Sequence, residues 1–181
     1  MHTVFLLLGS NMGNRLELLR QARTWLKAQV GNLVALSACY ESEPWGFEAE
    51  TWFINQVVQA ETMLTPEQLL LAVQHIEQQL GRVRGTNIKT NEDKPLAIHH
   101  LSCHTDTYQS RPMDIDILFY DDVVVLTPAL HIPHPLLHLR LFTLLPLHDI
   151  APHYNHPSLR QTIAELLAQC NDKGIVKKYS M

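Results

Sequence analysis

The stretch RPMDIDILFY, residues 111–120, places two aspartates inside a run of apolar and aromatic residues typical of a buried β-strand. Because strand side chains alternate in direction, Asp114, Asp116 and Leu118 are predicted to share one face. The intervening isoleucines and Phe119 are predicted to face the other way. Two carboxylates about 7 Å apart at their Cα atoms, beside an apolar layer, would repel each other unless a cation lies nearby. The strand therefore predicts both a sheet core and a cation site.

The composition is that of an ordinary globular chain. Of 181 residues, 46% are hydrophobic and 18% charged, and the formal net charge is −4. This length predicts a single domain over residues 1–181. The acidic balance gives no sign of a nucleic-acid surface, so we expect no nucleic-acid partner.

The cysteines and the first residues favour a cytoplasmic protein. Cys39, Cys103 and Cys170 are odd in number and form no CxxC pair, so no disulfide framework or four-cysteine zinc site is indicated. The apolar run at residues 3–9 lacks a basic leader and is too short for a signal peptide or membrane span. We interpret it as a first strand and expect no membrane partner.

Strands and helices are mixed along the chain without regular βαβ alternation. Helices are predicted from NRLELLRQARTWLKAQV, with Asn14 as cap, and from TPEQLLLAVQHIEQQLG, with a capping box between Thr65 and Gln68. A last helix is predicted from SLRQTIAELLAQC, with Ser158 as cap. LVALSACYESE and WFINQVVQAE are predicted to pair as strands, and GIVKKYS to close the sheet. The mixture predicts an α+β sandwich with a ferredoxin-like core, in which helices pack on the faces of a mainly antiparallel sheet.

A polar, aperiodic segment precedes the aspartate strand. It is much longer than an ordinary connection, and we interpret about 85–110 as an expanded loop, functional or disordered. Its HHLSCH run leaves a metal site open, although a tight zinc site normally draws ligands from two separated elements. The residues of that run are His99, His100, Cys103 and His104.

Asp114 and Asp116 are suitable ligands for a hard cation. Mg²⁺ prefers carboxylate oxygens and keeps several waters, whereas zinc prefers His or Cys and Ca²⁺ wants more protein oxygens. On the DxD pattern alone, it is equally open that one aspartate caps a turn or pairs with an arginine. Arg82, Arg84 and Arg111 favour a site for nucleotide phosphates, because guanidinium groups suit phosphate oxygens.

EPWGFEAETWFIN, residues 43–55, predicts a second site. Aromatic rings beside a glycine turn can enclose a flat heterocycle, and the Asn55 amide can pair with its edge. Either Trp45 or Trp52 alone is explained as readily by core packing, so the combination carries the prediction.

Common nucleotide and hydrolase motifs are missing from the sequence. There is no GxxxxGK[ST], no GxGxxG after the first strand and no GxSxG, which excludes P-loop kinases and Rossmann proteins. His134, followed six residues later by Arg140, is predicted to face a phosphate at the start of a helix.

Together the motifs resemble the hydroxymethyldihydropterin pyrophosphokinase family of the folate pathway over nearly the whole chain. The matching stretches are LGSN, SEPWGF, FIN, IEQQLGRVR, RPMDIDILFYDD and IPHPLLHLRLFTLLPLHDIAP. The resemblance implies a ferredoxin-like enzyme that transfers pyrophosphate from ATP to 6-hydroxymethyl-7,8-dihydropterin and leaves AMP.

The resemblance also implies a role for each matching position. Asp114 and Asp116 would bind two Mg²⁺ ions, and ATP would be the co-substrate. The implied catalytic residues are Arg82, Arg111 and Asp116. The implied pterin-binding residues are Trp45, Gly46, Phe53, Asn55 and Phe142. The implied ATP-binding residues are Gln74, Glu77, Arg84, His134 and Arg140.

One departure from the family lies in the expanded loop, where Tyr108 stands in place of a tryptophan that usually precedes the aspartate strand. A catalytically silent homologue that binds pterin or nucleotide is the main alternative, although the retained aspartates and arginines argue against it. An RNA-binding domain or a two-metal phosphodiesterase fits less well, because a basic surface and further metal ligands are not evident. We expect a monomer that acts on small molecules.

Overall fold

A computed structural model describes residues 1–47, 49–82 and 110–180. The strands are β1 (His2–Ser10), β2 (Gly31–Leu36), β3 (Tyr40–Ser42), β4 (Phe53–Thr62), β5 (Asp114–Tyr120), β6 (Val125–Leu126), β7 (His131–Ile132) and β8 (Val176–Lys178). The helices are α1 (Arg15–Gln29), α2 (Pro66–Gln79), α3 (Leu141–Ile150) and α4 (Ile163–Gln169), with a 3-10 turn at Leu137–Leu139.

In the described part of the chain, six strands form one sheet in the order β5-β1-β4-β3-β8, and β2 also pairs with β4. Every strand pair among the described residues is antiparallel. The predicted α+β, ferredoxin-like fold is therefore confirmed, as is the closing strand β8. The stretch at residues 33–43 forms two strands rather than one, β2 and β3, because both pair with different parts of the long β4.

Helices cover both faces of this sheet. The core against α1 and α2 includes Leu19, Ala22, Leu26, Leu69, Val73 and Ile76. The core against α3 and α4 includes Leu144, Leu147, Ile163 and Leu166. Leu6 of β1 joins the first core and Leu7 the second, which explains why this central strand is a continuous apolar run.

The alternation predicted for β5 breaks at its end. Two consecutive residues of β1 pair with Ile117 and Phe119, so Leu118 is an extra residue in β5. Leu118 and Phe119 both join the core of α3 and α4, and the prediction that they face opposite ways is wrong. Asp114 and Asp116 lie before this bulge and keep the alternation.

The caps predicted for α1 and α2 are confirmed. The Asn14 side chain accepts a hydrogen bond from the Glu17 N–H at 3.2 Å. Thr65 and Gln68 form both bonds of the capping box, which satisfies two backbone donors at the start of α2.

The last helix begins later than predicted. Its cap is Thr162, which forms a capping box with Glu165, and not Ser158. The Ser158 N–H donates instead to His156 Nδ1 at 3.2 Å, and Arg160 takes a φ of 58°, a conformation that no α-helix contains. No helix in the described part of the chain has both the length and the apolar character needed to cross a membrane.

Candidate active site

Two cavities meet at the start of β5, and four residues line both of them. The shared residues, called the common wall below, are Arg111, Asp114, Asp116 and Arg140. The larger cavity, of about 280 Å³, lies between α2, β5 and the segment before the 3-10 turn. The smaller one, of about 60 Å³, lies among β1, β3 and β4. Two bound molecules would therefore face each other across two carboxylates and two guanidinium groups.

The larger cavity is lined by most of the residues predicted to bind ATP. These are Gln74, Glu77, His134 and Arg140, together with the predicted catalytic residue Arg82. Its remaining wall is largely apolar and comes from Leu70, Val73, Ala129, Leu130 and Pro135. A cavity lined by both cations and apolar side chains suits a molecule with an anionic part and a flat, less polar body.

The helix predicted to start near His134 is a short 3-10 turn. His134 precedes this turn, Leu137–Leu139, and its Nδ1 accepts the Leu136 N–H at 3.2 Å. In the neutral ring this bond assigns the proton to Nε2. His134 therefore lines the cavity as a side-chain donor, without the help of a helix dipole.

The smaller cavity is lined by four of the residues predicted to bind the pterin, namely Trp45, Phe53, Asn55 and Phe142. Asn55 is 2% exposed, and its Nδ2 donates to Ser42 Oγ at 2.8 Å. Phe47 meets Phe53 edge to face, with ring centroids 6.1 Å apart. The fifth predicted residue, Gly46, does not line the cavity; it has a φ of 79° in the turn between two residues that do.

Among the described residues, two arginines pair with Asp114. Arg82 Nη1 lies 2.6 Å from Asp114 Oδ1, and Arg111 Nη1 lies 3.1 Å from the same oxygen. Guanidinium groups thus supply positive charge at the aspartate pair. These groups offset part of the repulsion that the sequence predicts between two like charges on one strand face.

Glu77 anchors α2 to the aspartate strand. Its side chain is 2% exposed, and Oε1 accepts the backbone N–H of Ile115 at 2.9 Å. The same oxygen accepts a hydrogen bond from Arg82 Nη1. Because Ile115 stands between the two aspartates, one carboxylate fixes both the strand and the arginine that pairs with Asp114.

Asp116 lies in an environment that disfavours its charge. Burial raises its pKa to about 7, and the neighbouring Asp114 carboxylate acts in the same direction. Arg140 and Arg111 oppose these effects without cancelling them. A divalent cation at this carboxyl would favour the ionised form.

Arg140 joins the two cavities through aromatic contacts. Its guanidinium carbon lies 4.5 Å from the centroid of the Trp45 ring and 5.6 Å from that of Phe142. The residue is 4% exposed, and cation–π attraction is stronger at such desolvated positions. These contacts hold the planar cation at the common wall.

Gly9 is a site residue that the sequence reasoning did not single out. It pairs with Asn55 of β4 on one side and with Asp114 of β5 on the other. A Cβ at this position would stand 3.3 Å from Asn55 Oδ1 and 3.8 Å from Phe53 Cδ1. The glycine that ends the apolar run in LGSN was the available signal. Its missing side chain leaves room for the smaller cavity.

The donor set at the common wall fits a hard cation. Within residues 1–47, 49–82 and 110–180, no three His, Cys, Asp or Glu side chains are grouped to hold a metal ion by themselves. Two carboxylates on one strand face suit Mg²⁺, which takes few protein ligands and completes its shell with water and phosphate oxygens. The described residues therefore favour magnesium over a zinc site made only of protein ligands.

Several predictions fall outside the described residues. They concern Arg84, Tyr108, the HHLSCH run at 99–104 and residues 85–109 of the expanded loop. Arg84 therefore stays a prediction from the resemblance.

An antiparallel α+β sheet with two cavities that share paired carboxylates is the arrangement expected of an enzyme that transfers a group between two small molecules. The family model of 7,8-dihydro-6-hydroxymethylpterin-pyrophosphokinase (HPPK) matches residues 5–152. The chain belongs to this family, an ATP-dependent class of diphosphokinases. The family predicted from the sequence motifs is confirmed.

Named relatives agree with this assignment. The 2-amino-4-hydroxy-6-hydroxymethyldihydropteridine pyrophosphokinase of Porphyromonas gingivalis is 40% identical over 158 residues, which cover 87% of this chain and 95% of that protein. The Aquifex aeolicus protein of the same name is 35% identical over 165 residues, which cover 91% and 90%. The folic acid synthesis protein fol1 of Pneumocystis carinii is 34% identical, and the match spans 95% of this chain but 20% of that protein.

Solved structures share the fold. Wild-type HPPK-DHPS of Plasmodium falciparum with SDX-DHP matches with a TM-score of 0.66 and 18% identity, over 93% of this chain and 43% of that one. HPPK-DHPS in complex with substrates matches with a TM-score of 0.67 and 15% identity, over 93% and 42%. The chain thus spans less than half the length of these proteins, and at such identities the likeness shows the fold alone.

Proposed function

We propose that this protein transfers pyrophosphate from ATP to 6-hydroxymethyl-7,8-dihydropterin in folate biosynthesis, giving AMP and the pterin diphosphate. The observation that carries the proposal is the common wall, where the two cavities share Arg111, Asp114, Asp116 and Arg140. Pyrophosphoryl transfer requires the β-phosphorus of ATP to meet a hydroxyl of the second substrate. A wall of carboxylates and guanidinium groups between two cavities suits that meeting point.

The larger cavity would take ATP. Its triphosphate would lie toward Arg82, Arg111 and Arg140, whose charges would offset the negative charge of the transferring group. His134 would donate to a phosphate oxygen through Nε2. Gln74 and Glu77 lie along α2, on the nucleotide side, and Arg84 is assigned to the phosphates by the resemblance.

The smaller cavity would take the pterin. Phe53 and Phe142 would stack against the ring, with Trp45 and the Gly46 turn beside it. The Asn55 amide, oriented by Ser42, would pair with the polar edge of the ring. An aromatic cavity of this kind positions the hydroxymethyl group and excludes water from the common wall.

Asp114 and Asp116 would hold Mg²⁺, two ions in our proposal. When bound, Mg²⁺ neutralises phosphate oxygens and orients the triphosphate. Arg82 and Arg111 both contact Asp114 Oδ1, so phosphate oxygens would compete with this carboxylate for the two guanidinium groups. That exchange would leave Asp114 available as a ligand.

The test is a product assay. The purified protein is mixed with ATP, Mg²⁺ and reduced hydroxymethylpterin, and the nucleotides and pterins are resolved by chromatography. We expect AMP and the pterin diphosphate only when all three are present. A pterin with a methyl group in place of hydroxymethyl is the matched control, because it fills the same cavity without an acceptor oxygen.

Other products would contradict the proposal. ADP would indicate transfer of a single phosphoryl group. Pterin binding without any nucleotide turnover would favour the alternative of a catalytically silent homologue.

We further propose that residues 1–181 act as one domain, as a monomer in the cytoplasm, with no nucleic-acid or membrane partner. Light scattering coupled to size exclusion should give a mass near the 20.7 kDa of the chain. Twice that mass would contradict the monomer.

A further inference from the structure

Asn11, in the LGSN motif, is a buried residue to which neither the sequence nor the proposed reaction assigns a role. It follows β1 directly and is 2% exposed. Its Oδ1 accepts the backbone N–H of Arg111 at 2.8 Å. Its Nδ2 donates to Ser110 Oγ at 2.9 Å and to the Thr51 carbonyl at 3.3 Å. One amide side chain thus contacts three residues in two separate segments, Ser110–Arg111 and Thr51.

The contacts with Arg111 come from both the side chain and the main chain of Asn11. The Asn11 N–H donates to the Arg111 carbonyl at 3.3 Å, while Oδ1 accepts the Arg111 N–H. Both peptide groups of Arg111 are therefore tied to the end of β1. The Arg111 guanidinium lies 3.1 Å from Asp114 Oδ1. Asn11 therefore fixes the main chain from which this guanidinium extends to the common wall.

The bond from Asn11 to the Thr51 carbonyl links Asn11 to the segment that leads into the smaller cavity. Thr51 stands two residues before Phe53, which lines the smaller cavity. Arg15 strengthens this segment, because its Nη1 donates to the Trp52 carbonyl at 2.7 Å. Asn11 therefore lies where the main chains that carry Arg111 and Phe53 meet.

We propose that Asn11 is a positioning residue for the transfer reaction, which acts by holding the Arg111 main chain so that its guanidinium lies at the common wall. The inference rests on the proposed function. It gives LGSN a physical role: glycine leaves room for the smaller cavity, and asparagine holds the arginine between the two cavities. Asn11 touches neither substrate in this account.

The test is a double-mutant cycle of N11A and R111A, measured as kcat/KM for AMP formation. Loss of a residue that orients a catalytic group typically costs about 10–100-fold, so we expect N11A to lower kcat/KM by at least about 10-fold. In the R111A background, N11A should cost less than about 2-fold, since residues that act as a unit are not additive. Equal losses in both backgrounds would overturn the proposal.

Amide hydrogen exchange gives a readout that does not need turnover. We expect the Arg111 amide proton to exchange at least about 10-fold faster in N11A, because its acceptor is gone. N11D keeps an acceptor oxygen for this N–H, so the Arg111 amide should stay largely protected, although its second oxygen cannot donate to the Thr51 carbonyl. An Arg111 amide that stays protected in N11A would overturn the proposal. If N11A does not fold, N11S is the test variant, because its hydroxyl is one bond shorter than the amide and should lose the Arg111 N–H.

Q56A is the matched control. Gln56 is also a buried amide with two hydrogen bonds, to the Ser37 carbonyl and from Arg23, but it lies outside both cavities. Its loss should lower stability and leave kcat/KM within about 2-fold of wild type. An inactive wild-type protein would refute the proposed function, whereas an active one with additive N11A and R111A losses would refute only the role of Asn11.

Discussion

Asp114 accepts a hydrogen bond from Arg82 across 2.6 Å, and this pair joins the end of α2 to the first residue of β5. Arg82 is only 12% exposed and is also held by the buried Glu77. The charges of the site are therefore arranged before a substrate enters. Such preorganised charge is the feature that most often lowers the barrier for transfer of an anionic group.

Replacing Glu77 by glutamine should reduce both stability and activity. The Gln Oε1 can still accept the Ile115 N–H, but the charge opposite Arg82 is lost. We expect a loss of about 1–3 kcal/mol in the free energy of unfolding by urea, and slower AMP formation. E67Q, which removes a charge at an exposed position of α2, is the control. Unchanged stability and rate in E77Q would contradict the anchoring role.

Replacing Asp116 by asparagine should abolish transfer without destabilising the metal-free protein. The change removes a ligand for Mg²⁺, and we expect AMP formation to fall by at least about 10³-fold. It also removes a buried like charge beside Asp114, so the melting temperature should be equal or higher. D122N alters an exposed carboxylate after the same strand and should behave as wild type. Substantial Mg²⁺-dependent activity in D116N would refute the metal assignment.

Replacing Gly9 by alanine should weaken pterin binding selectively. The new methyl group would stand 3.3 Å from Asn55 Oδ1, which forces the amide or the strand to shift. Overpacking of this kind costs about 1–3 kcal/mol, so we expect the Kd for pterin to rise about 10-fold or more in titration calorimetry. The Kd for ATP on the same variant is the internal control. An equal rise in both constants would show a general distortion instead.

The stability of the protein should fall in acid because of His156. Burial lowers its pKa from 6.5 to about 4, and the facing His138 adds to the effect. The unfolded chain therefore binds a proton more readily than the folded one, so the stabilising contribution is complete above pH 6.5 and is lost as the pH falls toward 4. The slope from one such group is at most about 1.4 kcal/mol per pH unit.

H156N tests this prediction. Asparagine does not titrate, and its side-chain oxygen can still accept the N–H groups of Ser158 and Leu159 that now bond to Nδ1. Urea unfolding between pH 7 and pH 4 should show a flatter dependence in H156N than in wild type. Parallel curves would show that other groups cause the acid sensitivity.

Local patterns in the sequence predicted the elements they encode. Thr65 and Gln68 form the capping box because both partners lie within one turn. Predictions failed where a distant partner decides the outcome. Leu118 is an extra residue because of its pairing with β1, which lies far from it in the sequence. His134 lines the larger cavity but precedes a 3-10 turn.

The sequence by itself determined the family, the α+β fold and the types of residue at the site, because motifs and alternation are properties of neighbouring residues. Only the tertiary structure decided that Arg111 and Arg140 share one wall, that Gly9 lies between Asn55 and Asp114, and that Asn11 holds Arg111. These relations arise from strand pairing and burial. They join residues far apart in the sequence, such as Arg111 and Asn11, which are 100 positions apart, and they bring the charged groups of the site together.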